Sequence, residues 1–280
     1  MQPDTARHEA QADRYAVIGH PIAHSKSPVI HRLFAEQTGQ NIEYTAMDVA
    51  PAELGATLKK FFASGGRGLN VTVPHKTQVM SLMDKLTPQA KLAGAVNTIT
   101  KLKNGMLEGD NTDGIGLIAD LRDNLKFELI DSSILILGAG GASRGILPPL
   151  LEQIPAEIII ANRTLDKALG LASAFADLGN LHACSFGDLE GRRFHLIINA
   201  TSAGLHGEVP PFPESIIGPD TVCYDLSYSM RDTPFISWAK KHGCKRAYQG
   251  WGMLVEQAAE SFAIWRGVRP ETARVRKQLP

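Results

Sequence analysis

The sequence predicts an α/β protein of two domains, and three observations carry that prediction. A buried strand runs into a glycine turn and then a helix across Ser133-Ile-Leu-Ile-Leu-Gly-Ala-Gly-Gly-Ala-Ser-Arg-Gly145. Strand and helix patterns alternate along nearly the whole chain. At 280 residues the chain is too long for a single small core.

The first half reads as follows. Met1–Asp13 is polar and carries acidic residues, unlike a signal or transit peptide, and predicts a flexible tail over residues 1–13. Tyr15–Gly19 is a short apolar strand. Pro21-Ile-Ala-His-Ser-Lys-Ser-Pro28 turns after it, and Pro28 opens a helix over about Val29–Thr38. Ser25 and Ser27 therefore stand just before a helix N-terminus, where they offer hydroxyls to an anion or one of them caps the helix. Ile42–Val49 predicts a strand, Ala52–Ser64 a helix, and Leu69-Asn-Val-Thr-Val73 a β-branched strand stopped by Pro74. Asn70 and Thr72 share a face of that strand because its side-chain period is two. Lys76 lies just past its end, where open α/β sheets place ligand chemistry. Ala93–Ile99 predicts a further strand carrying Asn97, and Lys103-Asn-Gly105 a hairpin turn. Gly109–Gly116 is dense in turn residues and precedes a helix over Ile115–Asn124. Asp113 sits at the start of that helix, where the chain is expected to pass into the second domain.

The second half is simpler. Ile134–Leu137 is apolar without alternation, as a strand covered on both faces requires. Gly138, Gly140 and Gly141 permit a tight turn and close approach of backbone to a pyrophosphate. The helix N-terminus beyond them supplies free N–H groups and partial positive charge. Ser143 replaces the third glycine of the usual pattern and is small enough to keep helix and strand close. Strands then follow at Glu157–Ala161, Leu196–Ala200 and Thr221–Asp225, with helices at Leu165–Asp177 and Thr233–His242. This is a doubly wound, Rossmann-like nucleotide domain. The end of its second strand selects the cofactor: an NAD site usually has an acid there for the ribose 2′-hydroxyl. Here it reads Asn162-Arg163-Thr164, with Lys167 one turn on, and Arg163 suits a 2′-phosphate. The expected cofactor is NADP(H). Tyr248–Trp265 reads as a glycine-broken loop at Gly250 and Gly252 entering an amphipathic helix, with Met253, Leu254, Ala258, Phe262 and Trp265 in the core. Gln257 lies near that apolar face and needs a polar partner.

Composition removes several function classes. Lys plus Arg and Asp plus Glu number 29 each, so no net field favours nucleic acid or an anionic membrane. No stretch approaches the ~18 uninterrupted apolar residues of a membrane span. Cys184, Cys223 and Cys244 lack metal-site spacing, so no metal is expected, and they read as thiols in a reducing cytoplasm.

With these pieces in order, the chain resembles shikimate dehydrogenase from Tyr15 to about Pro270. The matching stretches are residues 21–28, Asn-Val-Thr-Val-Pro-His-Lys at 70–76, Gly-Ala-Val-Asn-Thr at 94–98, Gly-Asp-Asn-Thr-Asp-Gly at 109–114, residues 138–145, Asn-Arg-Thr at 162–164, Asn-Ala-Thr-Ser at 199–202, and Gly-Met-Leu-Val-Glu-Gln at 252–257. The resemblance implies a substrate domain of residues 14–112 plus 250–280, with an NADP domain of 113–249 inserted. The implied reaction is the reversible reduction of 3-dehydroshikimate to shikimate in aromatic amino-acid biosynthesis. By position, Ser25 and Ser27 would bind the substrate carboxylate with Tyr228 nearby, while Asn70, Thr72, Asn97 and Gln257 line its ring. Lys76 and Asp113 would be the acid–base pair. Gly138, Ala139, Gly140, Gly141, Ala142, Ser143, Asn162, Arg163, Thr164, Lys167, Thr201, Leu226 and Gly250 would hold NADP.

Two departures stand out. Lys167 replaces a second Arg common among such relatives, keeping charge without the planar fork. Trp251 is bulkier than the leucine common at its position. A paralogous quinate/shikimate dehydrogenase using NAD would put an acid near Arg163, and a non-catalytic nucleotide-sensing regulator would lose Lys76 or Asp113. Net neutrality allows either a monomer or a homodimer. Hinge motion is expected near Asp113 and Gly250, since a hydride site between domains must open and close.

Overall fold

The computed structural model describes residues 11–201 and 203–279. Two six-stranded sheets form two α/β units. The first begins with β1 (Asp13–Gly19), buried from Tyr15 onward. The tail expected over residues 1–13 lies outside the described residues as far as residue 10. Its last residue differs from expectation, because Asp13 is already strand and pairs with Arg67 and Arg266. Charge pairing orders a position that polarity alone reads as loose.

Helix α1 (Ser27–Thr38) carries Pro28 in its first turn and ends at Gly39, whose φ of 65° is left-handed. Next come β2 (Ile42–Asp48), α2 (Leu54–Ala63), β3 (Gly66–Val71), β4 (Lys85–Leu86), α3 (Pro88–Ala93), β5 (Thr98–Lys101) and β6 (Leu107–Asp110). The strand order is β2-β1-β3-β5-β6-β4. β1 lies parallel to β2 and β3, whereas β5 runs antiparallel to both β3 and β6. The continuous strand expected over Ala93–Ile99 is not formed. Thr87 accepts from the Ala90 N–H and caps α3, which ends at Gly94 with φ of 60°. Asn97 thus sits just ahead of β5 rather than within a strand.

Helix α4 (Asp113–Ala119) continues into a π-helical turn over Asp120–Asn124. The second sheet is built from β7 (Ser133–Leu137), β8 (Glu157–Ala161), β9 (Leu181–Cys184), β10 (Leu196–Asn199), β11 (Val222–Asp225) and β12 (Arg246–Gln249). Its helices are α5 (Gly141–Leu151), α6 (Leu165–Ala174) and α7 (Pro234–Lys241). All its strands are parallel in the order β12-β11-β10-β7-β8-β9, so the order reverses between β7 and β10. That reversal is where such sheets bind ligands.

The chain then returns to the first unit through α8 (Trp251–Arg266) and α9 (Thr272–Arg276). Ala258, Ala259 and Phe262 of α8 pack with Ile30 and Phe34 of α1 and Val275 of α9. The other side of the crossing is different: Leu117 and Leu121 join the core of the second sheet with Ile136, Ile146 and Ile198. Since α4 and α8 also lie against each other, this helix pair joins the two units. No described helix is long and apolar enough to cross a membrane.

Candidate active site

The first sheet brings Lys76 and Asp113 together from 37 positions apart. Lys76 Nζ donates to Asp113 Oδ2 at 2.6 Å, with the side chains 29% and 17% exposed. A half-buried pair of this kind is shielded from solvent yet open to a ligand. Asp113 is held from behind as well. Asn97 Nδ2 donates to its Oδ1 at 2.9 Å, and the Asp113 N–H donates to Asn111 Oδ1 at 3.1 Å. Asn97 is fixed in turn by the Thr112 N–H at 2.9 Å, a group that can only donate, so the amide oxygen must face it. Gln257 Oε1 lies 3.3 Å from Asn97 Nδ2, and Gln257 Nε2 donates to Leu254 O at 2.8 Å. The polar partner that Gln257 needs on α8 is therefore present.

The remaining substrate-side residues divide. The N-cap residue of α1 is Lys26, which makes no side-chain capping bond. Ser25 Oγ accepts from the Ser27 N–H at 3.3 Å, and buried Ser27 interacts with the Tyr44 hydroxyl. The Thr72 hydroxyl makes no hydrogen bond among the described residues, while its backbone N–H continues the pairing to Ile18. Asn70 is the exception. It is buried, its Oδ1 accepts from Tyr44 at 2.7 Å, and its Nδ2 faces Asn97 O, Thr98 Oγ1 and Ser261 Oγ. Its amide hydrogens are spent inside the protein. Tyr228 lies beyond β11, tilted against Trp251 with ring centroids 4.5 Å apart, and burial pushes its phenol above the ordinary range.

The glycine turn occupies the reversal point of the second sheet. Gly138 has φ of 103°, a conformation that favours glycine. The turn is fastened by Ser143 Oγ, fully buried and donating to Gly138 O at 2.7 Å. Gly140 and Gly141 face open space, with no atom within 4 Å of where a Cβ would stand. Ala139 and exposed Ala142 flank them. At the end of β8, Asn162 Nδ2 donates to Thr164 O at 2.8 Å and shapes the next turn. Arg163, Thr164 and Lys167 are exposed, and neither cation makes an ion pair among the described residues. An open glycine cradle beside two uncommitted cations fits a dinucleotide carrying an extra phosphate.

Thr201 Oγ1 donates to Asn199 Oδ1 at 2.7 Å, and Asn199 Nδ2 donates to buried Asp225 at 3.1 Å. Asp225 also accepts from Thr233 at 2.6 Å, and burial raises its carboxyl above the usual range. The Leu226 N–H donates to Asn199 O at 3.0 Å. Gly250 is glycine for an internal reason, since a Cβ there would lie 2.5 Å from Leu226 O. Likewise Gly252 abuts the Asp120 carboxylate. Among the described residues no cluster of His, Cys, Asp or Glu could hold a metal ion. A cleft of about 490 Å³ walled by Asp120, Arg231, Tyr248, Trp251, Gly252 and Arg276 contains none of the residues expected to bind substrate or cofactor.

Sequence reasoning missed the second rank of polar residues: Tyr44, Thr98, Thr112 and Ser261. Thr98 follows Asn97 directly and Ser261 lies one turn beyond Gln257, which was the only signal available.

Three family models match successive stretches of the chain. They describe the shikimate dehydrogenase substrate-binding domain at residues 17–99, shikimate/quinate 5-dehydrogenase at 121–206, and the shikimate 5′-dehydrogenase C-terminal domain at 250–279. Shikimate dehydrogenase (NADP(+)) of Aeromonas salmonicida is 55% identical over 95% of this chain and 97% of its own. The chain belongs to the shikimate dehydrogenase family. The crystal structure of an Ael1 enzyme from Pseudomonas putida is 43% identical with a TM-score of 0.91, covering 96% of this chain and 98% of that one. The Thermus thermophilus shikimate 5-dehydrogenase, solved with NADP(H) and shikimate, is 33% identical with a TM-score of 0.85, covering 95% and 97%.

Proposed function

We propose that this protein catalyses the reversible, NADPH-dependent reduction of 3-dehydroshikimate to shikimate, a step of aromatic amino-acid biosynthesis. The observation that carries the reading is the Lys76–Asp113 pair, with its 2.6 Å contact and the Asn97 amide behind it. NADPH, when bound, supplies the hydride. As hydride reaches a ketone carbon, negative charge develops on the oxygen and needs a proton donor within hydrogen-bond reach. Lys76 holds that proton, and the Asp113 carboxylate aims the ammonium while balancing its charge in a half-buried setting.

In this reading Ser25 and Ser27 bind the substrate carboxylate, Tyr228 lies beside them, and Thr72 offers its uncommitted hydroxyl to the ring. Gln257 and Asn97 close the far wall. Asn70 supports that wall from inside instead of donating to the ligand, because its amide is already saturated. Gly138–Ser143 and Gly250 approach the cofactor backbone, Asn162, Arg163, Thr164 and Lys167 hold its 2′-phosphate end, and Thr201 and Leu226 line the nicotinamide side. The division into residues 14–112 plus 250–280 and residues 113–249 belongs to the same proposal, as does a cytoplasmic setting, which the three free thiols favour.

The test is NADP⁺ reduction followed by absorbance, with shikimate or quinate and with NADP⁺ or NAD⁺. Strong reduction of NADP⁺ by shikimate alone is the expected result. Comparable rates with NAD⁺ or quinate would move the protein to the broader quinate/shikimate class. No reduction in any combination would refute the reading.

A further inference from the structure

Thr98 and Ser261 are fully buried hydroxyl residues for which the reaction above provides no role. Their hydrogens can be assigned from neighbours that only donate or only accept. The Thr112 N–H fixes Asn97 Oδ1 as the acceptor side of that amide. Thr98 Oγ1, 2.9 Å from the same oxygen, must then donate to it. With its proton spent there, Thr98 accepts from Ser261 Oγ at 2.7 Å, the Ser261 proton being shared with Gln257 O at 3.0 Å. Ser261 accepts from Asn70 Nδ2 at 3.0 Å, and Asn70 Oδ1 accepts from Tyr44 at 2.7 Å. Every bond points the same way: Tyr44 to Asn70, Ser261, Thr98, Asn97 and finally Asp113 Oδ1, whose other oxygen holds Lys76. The chain joins β2, β3, α8 and β5 to the start of α4. Aligned hydrogen bonds polarise one another, and a buried polar network of this kind specifies one arrangement.

We propose that Thr98 is a positioning residue for the reaction, acting through Asn97 to keep the amide Nδ2 on Asp113 and so keep Asp113 aimed at Lys76. The proposal rests on the function assigned above. Without the Thr98 hydroxyl, Asn97 Oδ1 is held from Thr112 alone, so the amide is held less firmly, and any turn of it would set its oxygen against the Asp113 carboxylate. That arrangement repels, so fewer molecules hold a competent Lys76–Asp113 pair. No proton travels along the chain, since the amides of Asn70 and Asn97 interrupt any relay.

Two substitutions separate hydroxyl from packing. Thr98→Val keeps the shape and loses the hydroxyl, whereas Thr98→Ser keeps the hydroxyl and loses a methyl group. We expect Thr98→Val to lower kcat for shikimate oxidation about 3- to 10-fold, the range for one neutral hydrogen bond. KM for NADP⁺ should stay within about two-fold, and Thr98→Ser should keep nearly the parent kcat. Parent-like turnover in Thr98→Val, or an equal loss in Thr98→Ser, would overturn the proposal. High-resolution crystal structures of both variants read the Asn97 amide independently of turnover. It leaves Asp113 in the valine protein and stays in the serine protein; an amide unmoved in both also overturns the proposal. Failure of the parent protein to oxidise shikimate strikes the function reading, and the crystallographic comparison still decides this one.

Discussion

Replacing His31 by Phe should flatten part of the acid sensitivity of the fold. His31 on α1 is fully buried, stacked on Tyr44 at 4.1 Å with an interplanar angle of 5°, and neither ring nitrogen has a hydrogen-bond partner among the described residues. Burial lowers its pKa from 6.5 to about 3, although nearby Asn70 opposes the shift. The folded pKa lies below the unfolded one, so the unfolded chain takes up the proton first as pH falls. The stability from a neutral buried His31 is therefore present above about pH 6.5 and is lost progressively toward pH 3. One such group costs about 2 kcal/mol between roughly pH 7.5 and pH 5, and about 4 kcal/mol by pH 3. His31→Phe keeps a flat ring against Tyr44 and removes the titration. Urea unfolding of both proteins near pH 7.5 and pH 5 measures the difference. The parent should lose about 2 kcal/mol more than the variant over that interval. Parallel losses would show that His31 is protonated or hydrated in the folded protein, and the burial argument would fail.

Three other substitutions test the site and its support. Lys76→Ala should lower kcat about 10²- to 10⁴-fold while NADPH binding, read by fluorescence titration, stays near the parent value; an unchanged kcat removes Lys76 from the acid–base role. Arg163→Ala should weaken NADP⁺ about 10-fold or more through loss of charge-assisted bonds, with little effect on NAD⁺. Equal changes for the two cofactors would place the 2′-phosphate elsewhere. Gly252→Ala would set a Cβ 1.9 Å from Asp120 Oδ1, and Asp120 is pinned by Tyr224 at 2.7 Å and Asn124 at 2.8 Å. A loss of about 3 kcal/mol in chemical denaturation is expected, and a stable variant would mean that Asp120 yields easily.

In the second sheet the strands legible in the sequence were the inner ones. Ile134–Leu137 and Leu196–Ile198 are covered on both faces, so their residues are apolar without a break. The edge strands β9 and β12 were not read, because Leu181–Cys184 and Arg246–Gln249 are only half-covered and carry mixed side chains. Helix α3 is hidden for another reason: Gly94 within a small apolar stretch is compatible with a strand, whereas its left-handed backbone ends a short helix. Lys76 and Asp113 were legible as separate positions, one past a strand end and one at a helix start, each a place where backbone geometry exposes a side chain to a ligand.

By itself the sequence determined what local physics can specify: the doubly wound alternation, the glycine turn, the cation at the end of β8 and the family to which these belong. Only the tertiary structure decided that Lys76 meets Asp113, that Asn70 faces inward, and that Tyr44, Ser261 and Thr98 line up behind Asn97. The reason is separation along the chain. Thr98 and Ser261 lie 163 positions apart and meet only because α8 returns to the first sheet after the whole second unit has been built. A hydroxyl's partner is set by that crossing, and no periodicity or spacing near Thr98 encodes it.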